Sequence, residues 1–213
     1  LLYDHDGSAP VDETCRSFTT STARYGYQCK KAALEMGWQH AAFEDWVMLR
    51  ANHILGRGSL LGCIPDHNRD PRLLERLAGA EPLALVSAGQ INVSYAHPID
   101  LASAAVALLT ERHCLGRVVN LAHPVPVRAV DYYREICHQL RCPMPQITTA
   151  EIDPTNFWAS TAQDNVFSTH WPESRALTFG HDIRACIRDA LTVGEFRYRQ
   201  MGAFLRQRLY DAD

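Results

Sequence analysis

Three short apolar runs of strand length, at residues 46–51, 82–87 and 118–122, alternate with stretches of helical periodicity, and this alternation constrains the fold more than any other feature. The helical stretches are predicted at 27–42, 71–80, 98–112 and 127–140, with a last region starting at 183 and running, broken at Gly194, to Leu209. Leu73, Leu74 and Leu77 form one apolar face. Ile99, Ala102, Val106 and Leu109 form the expected inward face of the third helix, which Gly116 closes, and Val130, Tyr133, Ile136 and Leu140 that of the fourth. Residues 1–23 and 56–69 read as loops. Helices interleaved with short apolar strands specify an α/β chain, and the run at 46–51 is of the kind buried in a parallel sheet.

With 46% hydrophobic and 21% charged residues, the 213-residue chain has the balance of an ordinary globular protein. A net charge of −3 and a pI near 6.4 disfavour a general nucleic-acid surface. No apolar run approaches the roughly 20 residues of a membrane span, and no signal peptide precedes the acidic opening. The 7 cysteines are odd in number and include no C-x-x-C pair, which predicts reduced thiols and a cytoplasmic setting. The 10 histidines are dispersed, with no H-E-x-x-H or paired Cys/His spacing, so no metal site is expected.

The clearest chemical signal is Tyr27, with Lys31 four residues later and Glu35 four beyond that. Positions i and i+4 share a helical face, so a phenol and an ammonium can serve one cleft. A neighbouring cation favours phenolate and brings a hydroxyl of ordinary pKa about 10 toward neutrality, which suits a general acid or base. A surface helix carrying the two by chance has the same spacing. The flanking sequence has to decide.

The flanks are Tyr27-x-x-x-Lys31-Ala-Ala-x-Glu35, then Trp46-Val-Met-Leu-Arg50-Ala-Asn52-His-Ile-Leu-Gly56, then Gly89, Ala96-His97-Pro-Ile-Asp100-Leu-Ala102 and Val118-Val-Asn120-Leu. In this order they resemble the landmarks of the extended short-chain dehydrogenases/reductases, the group of NAD-dependent nucleotide-sugar epimerases, dehydratases and related reductases. Leu2-Tyr3-Asp4 and Pro10-Val-Asp-Glu13 are similar to that family's loop before its tyrosine helix. The resemblance implies a Rossmann-like doubly wound parallel sheet with a small substrate-binding lobe. Residues 1–55 and 82–122 would be the remainder of the Rossmann domain, and 56–81 and 123–213 mainly the lobe.

The resemblance further implies NAD or NADP as cofactor, with Tyr27 exchanging a proton with a substrate hydroxyl or carbonyl and Lys31 holding the nicotinamide ribose. Lys30 departs from the small residue common at its place. Asn52 and His53 would face substrate at a turn on the floor of the site, although an Asn and a His also satisfy turns by themselves. Asp100 opens its helix and is assigned to structure. The family's Gly-rich phosphate turn and its catalytic Ser/Thr have no counterpart here, so the chain reads as a piece that begins after them. Gly56-Arg-Gly58 and the residues after it read as a substrate-side loop.

Sugar-nucleotide members usually carry an arginine where this chain has Gln90 to Tyr95. Arg57, Arg69 or Arg72 would have to supply a guanidinium for an anionic substrate. The partner expected is therefore a small molecule, of nucleotide-sugar type or simpler, and the resemblance implies a homodimer through the tyrosine helix. A non-catalytic binding or regulatory module of the same fold, or a small-molecule carbonyl reductase, is the alternative reading.

Overall fold

The computed structural model describes residues 3–4, 7–23, 26–40, 45–59, 61–63, 72–110, 115–151, 163–171 and 177–192. Five helices are described: α1 (Gly26–Gln39), α2 (Leu73–Ala78), α3 (Pro98–Thr110), α4 (Ala129–Leu140) and α5 (Ile183–Leu191). The predicted helices at 27–42, 71–80, 98–112 and 127–140 correspond to the first four. The proposed continuation of the last one to Leu209 lies outside the described residues.

The strands are β1 (Val47–Ala51), β2 (His53–Ile54), β3 (Leu83–Leu85), β4 (Asn92–Val93), β5 (Tyr95–Ala96), β6 (Arg117–Leu121), β7 (Val127–Arg128) and β8 (Ile147–Thr149). Pairs β1–β6, β2–β5 and β3–β8 are parallel and β4–β7 is antiparallel. In the longest pair, Val47 faces Arg117 and Ala51 faces Leu121, with α3 crossing over to deliver β6 beside β1. Gly116, at φ +72°, starts this register by donating its N–H to the Trp46 carbonyl at 2.7 Å.

Two apolar cores result. The larger gathers Leu73 and Leu77 of α2, Leu83 and Leu85 of β3, Tyr132, Tyr133 and Ile136 of α4, and Cys186 and Ile187 of α5. The smaller joins Ala104 and Leu108 of α3 to Val119 and Leu121 of β6, with Trp171, Leu177 and Phe179 packed against it. Val130, Tyr133 and Ile136 point inward as the α4 periodicity predicts, and Leu73 and Leu77 do the same on α2.

Three expectations are corrected. Helix α3 is rotated from its predicted phase: Ile99, Val106 and Leu109 are 58%, 65% and 69% exposed, while Asp100, Ala104 and Leu108 are buried. This helix is apolar nearly all round, so periodicity does not fix its rotation. Asp100 does so, accepting the backbone N–H of His181 at 3.0 Å and facing its Nδ1 at 2.8 Å. These bonds, after the opposing effect of burial, hold the Asp100 carboxyl below its ordinary range. Strand β1 is only half-buried, with Leu49 37% exposed, because among the described residues it pairs on one edge alone. The run at 82–87 is strand only over β3. It then turns sharply at Ser87 and Ala88, both at positive φ, and at Gly89, where a Cβ would stand 2.8 Å from Leu85 Cδ1 and 2.9 Å from the Val130 backbone nitrogen.

Candidate functional site

Helix α1 presents Gln28 and Ala32, 1% and 3% exposed, to the body of the protein. Glu35 continues that face and forms a two-point ion pair with Arg50 of β1, Oε1 to Nε at 3.0 Å and Oε2 to Nη2 at 2.5 Å. Arg50 also lies over the ring of Tyr3, 4.4 Å from its centroid. Burial opposes the charge on Arg50, but the hydrogen bonds it donates to Glu35 and its interactions with Tyr3 and the Glu35 charge together outweigh it, and the guanidinium is held above its ordinary pKa. Burial pushes Tyr3 up to about 12, and its hydroxyl donates to Asn120 Oδ1 at 2.7 Å. Asn120 Nδ2 in turn donates to the carbonyls of Val11 and Ser168. The helix that bears Tyr27 and Lys31 is therefore tied to the β1–β6 pair through charge and aromatic contact.

Tyr27 and Lys31 occupy α1 positions one turn apart, next to the Gln28–Ala32 face. The side chain of Lys31 is exposed. The side chain of Tyr27 lies outside the described part of the structure.

Strand β1 ends at Ala51, and Asn52 and His53 follow at the carboxyl end of the parallel pair, the edge at which open α/β sheets bind ligands. Asn52 does not serve its own turn. It donates Nδ2 to the Asn165 carbonyl at 3.1 Å and accepts from Asn165 Nδ2 at 3.4 Å. Asn165 is 3% exposed and is pinned by its backbone, which donates to Asn92 at 2.8 Å and accepts from Ser94 at 2.9 Å. Neighbouring Asp164 fixes the same contact by accepting from the Asn92 backbone and side chain at 2.8 and 2.9 Å. His53 faces Tyr95 across β2–β5, and Tyr95 stacks on His123 with centroids 4.9 Å apart.

Two buried polar side-chain atoms, His53 Nε2 and Asn165 Oδ1, have no hydrogen-bond partner among the described residues. Leaving such an atom unpaired costs about 1–3 kcal/mol. Burial lowers His53 to about 4, so the imidazole is neutral near pH 7. A neutral ring nitrogen and an amide oxygen can each hydrogen-bond a hydroxyl, which both donates and accepts. Asn165 and Asp164 were not found by sequence reasoning. They lie more than 100 residues from Asn52, in a stretch without periodicity or motif.

Of the arginines expected on the substrate side, Arg57 and Arg72 are described. Arg57 is exposed, with its backbone N–H donating to Asp189 of α5 at 3.2 Å. Arg72, just before α2, is exposed and directs its guanidinium toward Glu75 and Glu81 at 3.5 and 4.0 Å. Arg69 lies outside the described residues. Gly56 is explained by packing, because a Cβ there would stand 2.6 Å from Pro98 Cδ and 2.9 Å from His97 Nε2. His97 caps α3, accepting from the Ile99 N–H at 3.2 Å, and reaches Asp189 at 3.1 Å while stacking on His181.

Among the described residues no three-membered group of metal-ligating side chains occurs, and no helix is long and apolar enough to cross a membrane. No protein-family model matches the chain, and no curated protein matches it. Solved structures do match. A functionally unknown conserved protein from Silicibacter pomeroyi superposes with a TM-score of 0.61 at 21% identity, over 94% of this chain and 62% of that one. UDP-glucose-4-epimerase from Stenotrophomonas maltophila, with bound NAD and formylated UDP-arabinopyranose, gives 0.63 at 16% over 95% and 62%. UDP-glucuronic acid 4-epimerase from Bacillus cereus in complex with NAD gives 0.63 at 14% over 94% and 59%. The chain thus spans about three-fifths of the length of these proteins. At such identities the likeness is one of fold, and the fold is α/β and Rossmann-like.

Proposed function

We propose that the chain is the larger part of an NAD(P)-dependent enzyme of the epimerase, dehydratase or reductase type, acting on a hydroxyl or carbonyl of a nucleotide sugar or related small molecule. The observation that carries this reading is the buried His53 Nε2, just past the carboxyl end of β1 and, among the described residues, without a partner, together with the likewise unpartnered Oδ1 of Asn165, whose side chain bonds Asn52. The fold likeness to enzymes solved with NAD and UDP-sugars supports it.

In this reading Tyr27 moves a proton to or from the reacting oxygen. Lys31 favours the ionised phenol and hydrogen-bonds the nicotinamide ribose, while the Glu35–Arg50 pair holds their helix in place. Asn52, His53 and Asn165 hold substrate hydroxyls, with Arg57, Arg69 or Arg72 supplying the guanidinium for an anionic group, Arg72 only in exchange for its contacts with Glu75 and Glu81. Residues 1–55 and 82–122 belong to the nucleotide-binding domain, 56–81 and 123–213 mainly to the substrate lobe, and α1 forms the contact of a homodimer. NAD or NADP, when bound, supplies a hydride acceptor or donor.

The residues present fit one end of such a cofactor. The cationic donor and phenol of α1 suit a ribose and nicotinamide, but among the described residues no glycine turn opens a helix to receive a pyrophosphate. Gly56 and Gly58 lead instead into the short 3-10 turn Leu61–Cys63.

The test is Tyr27→Phe in the full-length protein, assayed with NAD(P) against UDP-sugars. The expected result is a loss in kcat of roughly 10²–10⁴ with cofactor binding retained. Wild-type turnover by the variant would refute the assignment.

A further inference from the structure

Helix α4 ends in a turn that brings two cysteines together. Arg141 takes the left-handed conformation, φ 56° and ψ 37°. Its N–H donates to the His138 carbonyl at 3.2 Å, and the Cys142 N–H donates to the Cys137 carbonyl at 3.0 Å. This is the Schellman arrangement, in which the side chains of the two residues joined by the outer bond meet, usually as an apolar contact. Here both are free cysteines. Cys137 is 1% exposed in the larger core, and Cys142 is partly exposed and packs against that core. A backbone hydrogen bond between two residues brings their Cα atoms within the span of about 4.4–6.8 Å that a disulfide bridges.

We propose that Cys137 and Cys142 form a reactive dithiol that takes a low-molecular-weight disulfide as oxidant and closes into an intramolecular disulfide across the end of α4. Burial, and then the nearby Cys142, push the Cys137 thiol up to about 12, so Cys137 stays protonated and the accessible Cys142 reacts first. The Cys142 thiolate attacks one sulfur of the oxidant, forming a mixed disulfide and expelling a thiolate, which takes up a proton. Cys137 then gives up its proton and attacks Cys142 Sγ, expelling the second thiol. Two protein thiols are oxidised and one small disulfide is reduced to two thiols. The closed bridge staples the end of a helix whose Gln139 donates to the Arg184 carbonyl of α5 at 2.9 Å.

The experiment treats the folded, reduced protein with oxidised glutathione and maps the products by mass spectrometry. Cleavage after Arg141 separates the two cysteines, so the bridge appears as a linked peptide pair. The wild-type protein is expected to yield that pair. Cys137→Ser is expected to stop at glutathionylated Cys142, accumulating on the order of 10-fold more adduct than wild type. Cys142→Ala, which leaves Cys137 in its place in the core, is expected to keep Cys137 unmodified until the protein is unfolded. A stable Cys142 adduct in the wild-type protein, or two unreacted thiols, would overturn the proposal. Modification of Cys137 in folded Cys142→Ala at the wild-type rate would overturn the order of attack.

Discussion

His53 gives the most quantitative test of the site. Its Nε2 is buried without a partner, and burial lowers the ring from 6.5 to about 4. The unfolded chain takes up a proton near 6.5, whereas the native protein does not until about 4. Between these values acid favours the unfolded state. Stability is therefore complete above about pH 6.5 and falls as pH drops toward 4, by about 1.4 kcal/mol per pH unit and about 3 kcal/mol in all. Below that both states are protonated and the loss stops. Other groups titrate in the same window, so the measurement is the difference between wild type and His53→Phe in urea denaturation from about pH 7.5 to about pH 4.5. Phenylalanine keeps a ring of similar shape and removes the titration. The free-energy difference between the two proteins should shift by about 3 kcal/mol in favour of the variant across the window. Parallel curves would mean that the ring is solvated or paired, and the argument for an unpartnered polar floor would fail with it.

Gly56→Ala should destabilise the fold by about 1–3 kcal/mol, read as a lowered Tm, because its methyl would collide with Pro98 and His97. Glu35→Gln should cost about 3 kcal/mol by stranding Arg50, and the double change Glu35→Leu with Arg50→Met should recover most of it in denaturant melts. Asn165→Ala should cost only about 1 kcal/mol in stability, since the backbone bonds of Asn165 remain, but should raise KM for a substrate held through its hydroxyls.

The alternation of apolar runs and helical stretches made the α/β class legible, and the inward faces of α2 and α4 could be read because each helix has a polar side to contrast with its apolar one. Helix α3 lacks that contrast. Its sequence from Pro98 to Thr110 carries one charge, Asp100, and that charge is buried, so a residue assigned only to the start of the helix is the one that sets its rotation. The information lies in His181, some 80 residues away. The turn at Ser87 and Ala88 was hidden for a related reason. Nothing in a Val-Ser-Ala-Gly run marks two non-glycine residues at positive φ, and the conformation is held by β3 packing on α4 rather than by local preference.

The same division runs through the candidate site. Tyr27 and Lys31 could be singled out because they sit at a fixed offset within one helix, where spacing along the chain is spacing in space, and Asn52 and His53 because the resemblance places a turn there. Asn165 and Asp164 act across more than 70 residues and leave no local trace, and Tyr3 and Glu13 stand in stretches whose resemblance marks a loop but not these long-range bonds. Glu13 shows how much such residues organise: it accepts the Asn120 and His170 backbone N–H groups, each at 2.6 Å, and the Thr169 hydroxyl at 3.1 Å. One carboxylate thereby joins the opening loop, β6 and the segment that follows Asn165. The floor of the site is set by contacts among irregular segments, and Asn165 can present an unpaired oxygen there only because the polar groups around it are already satisfied by one another.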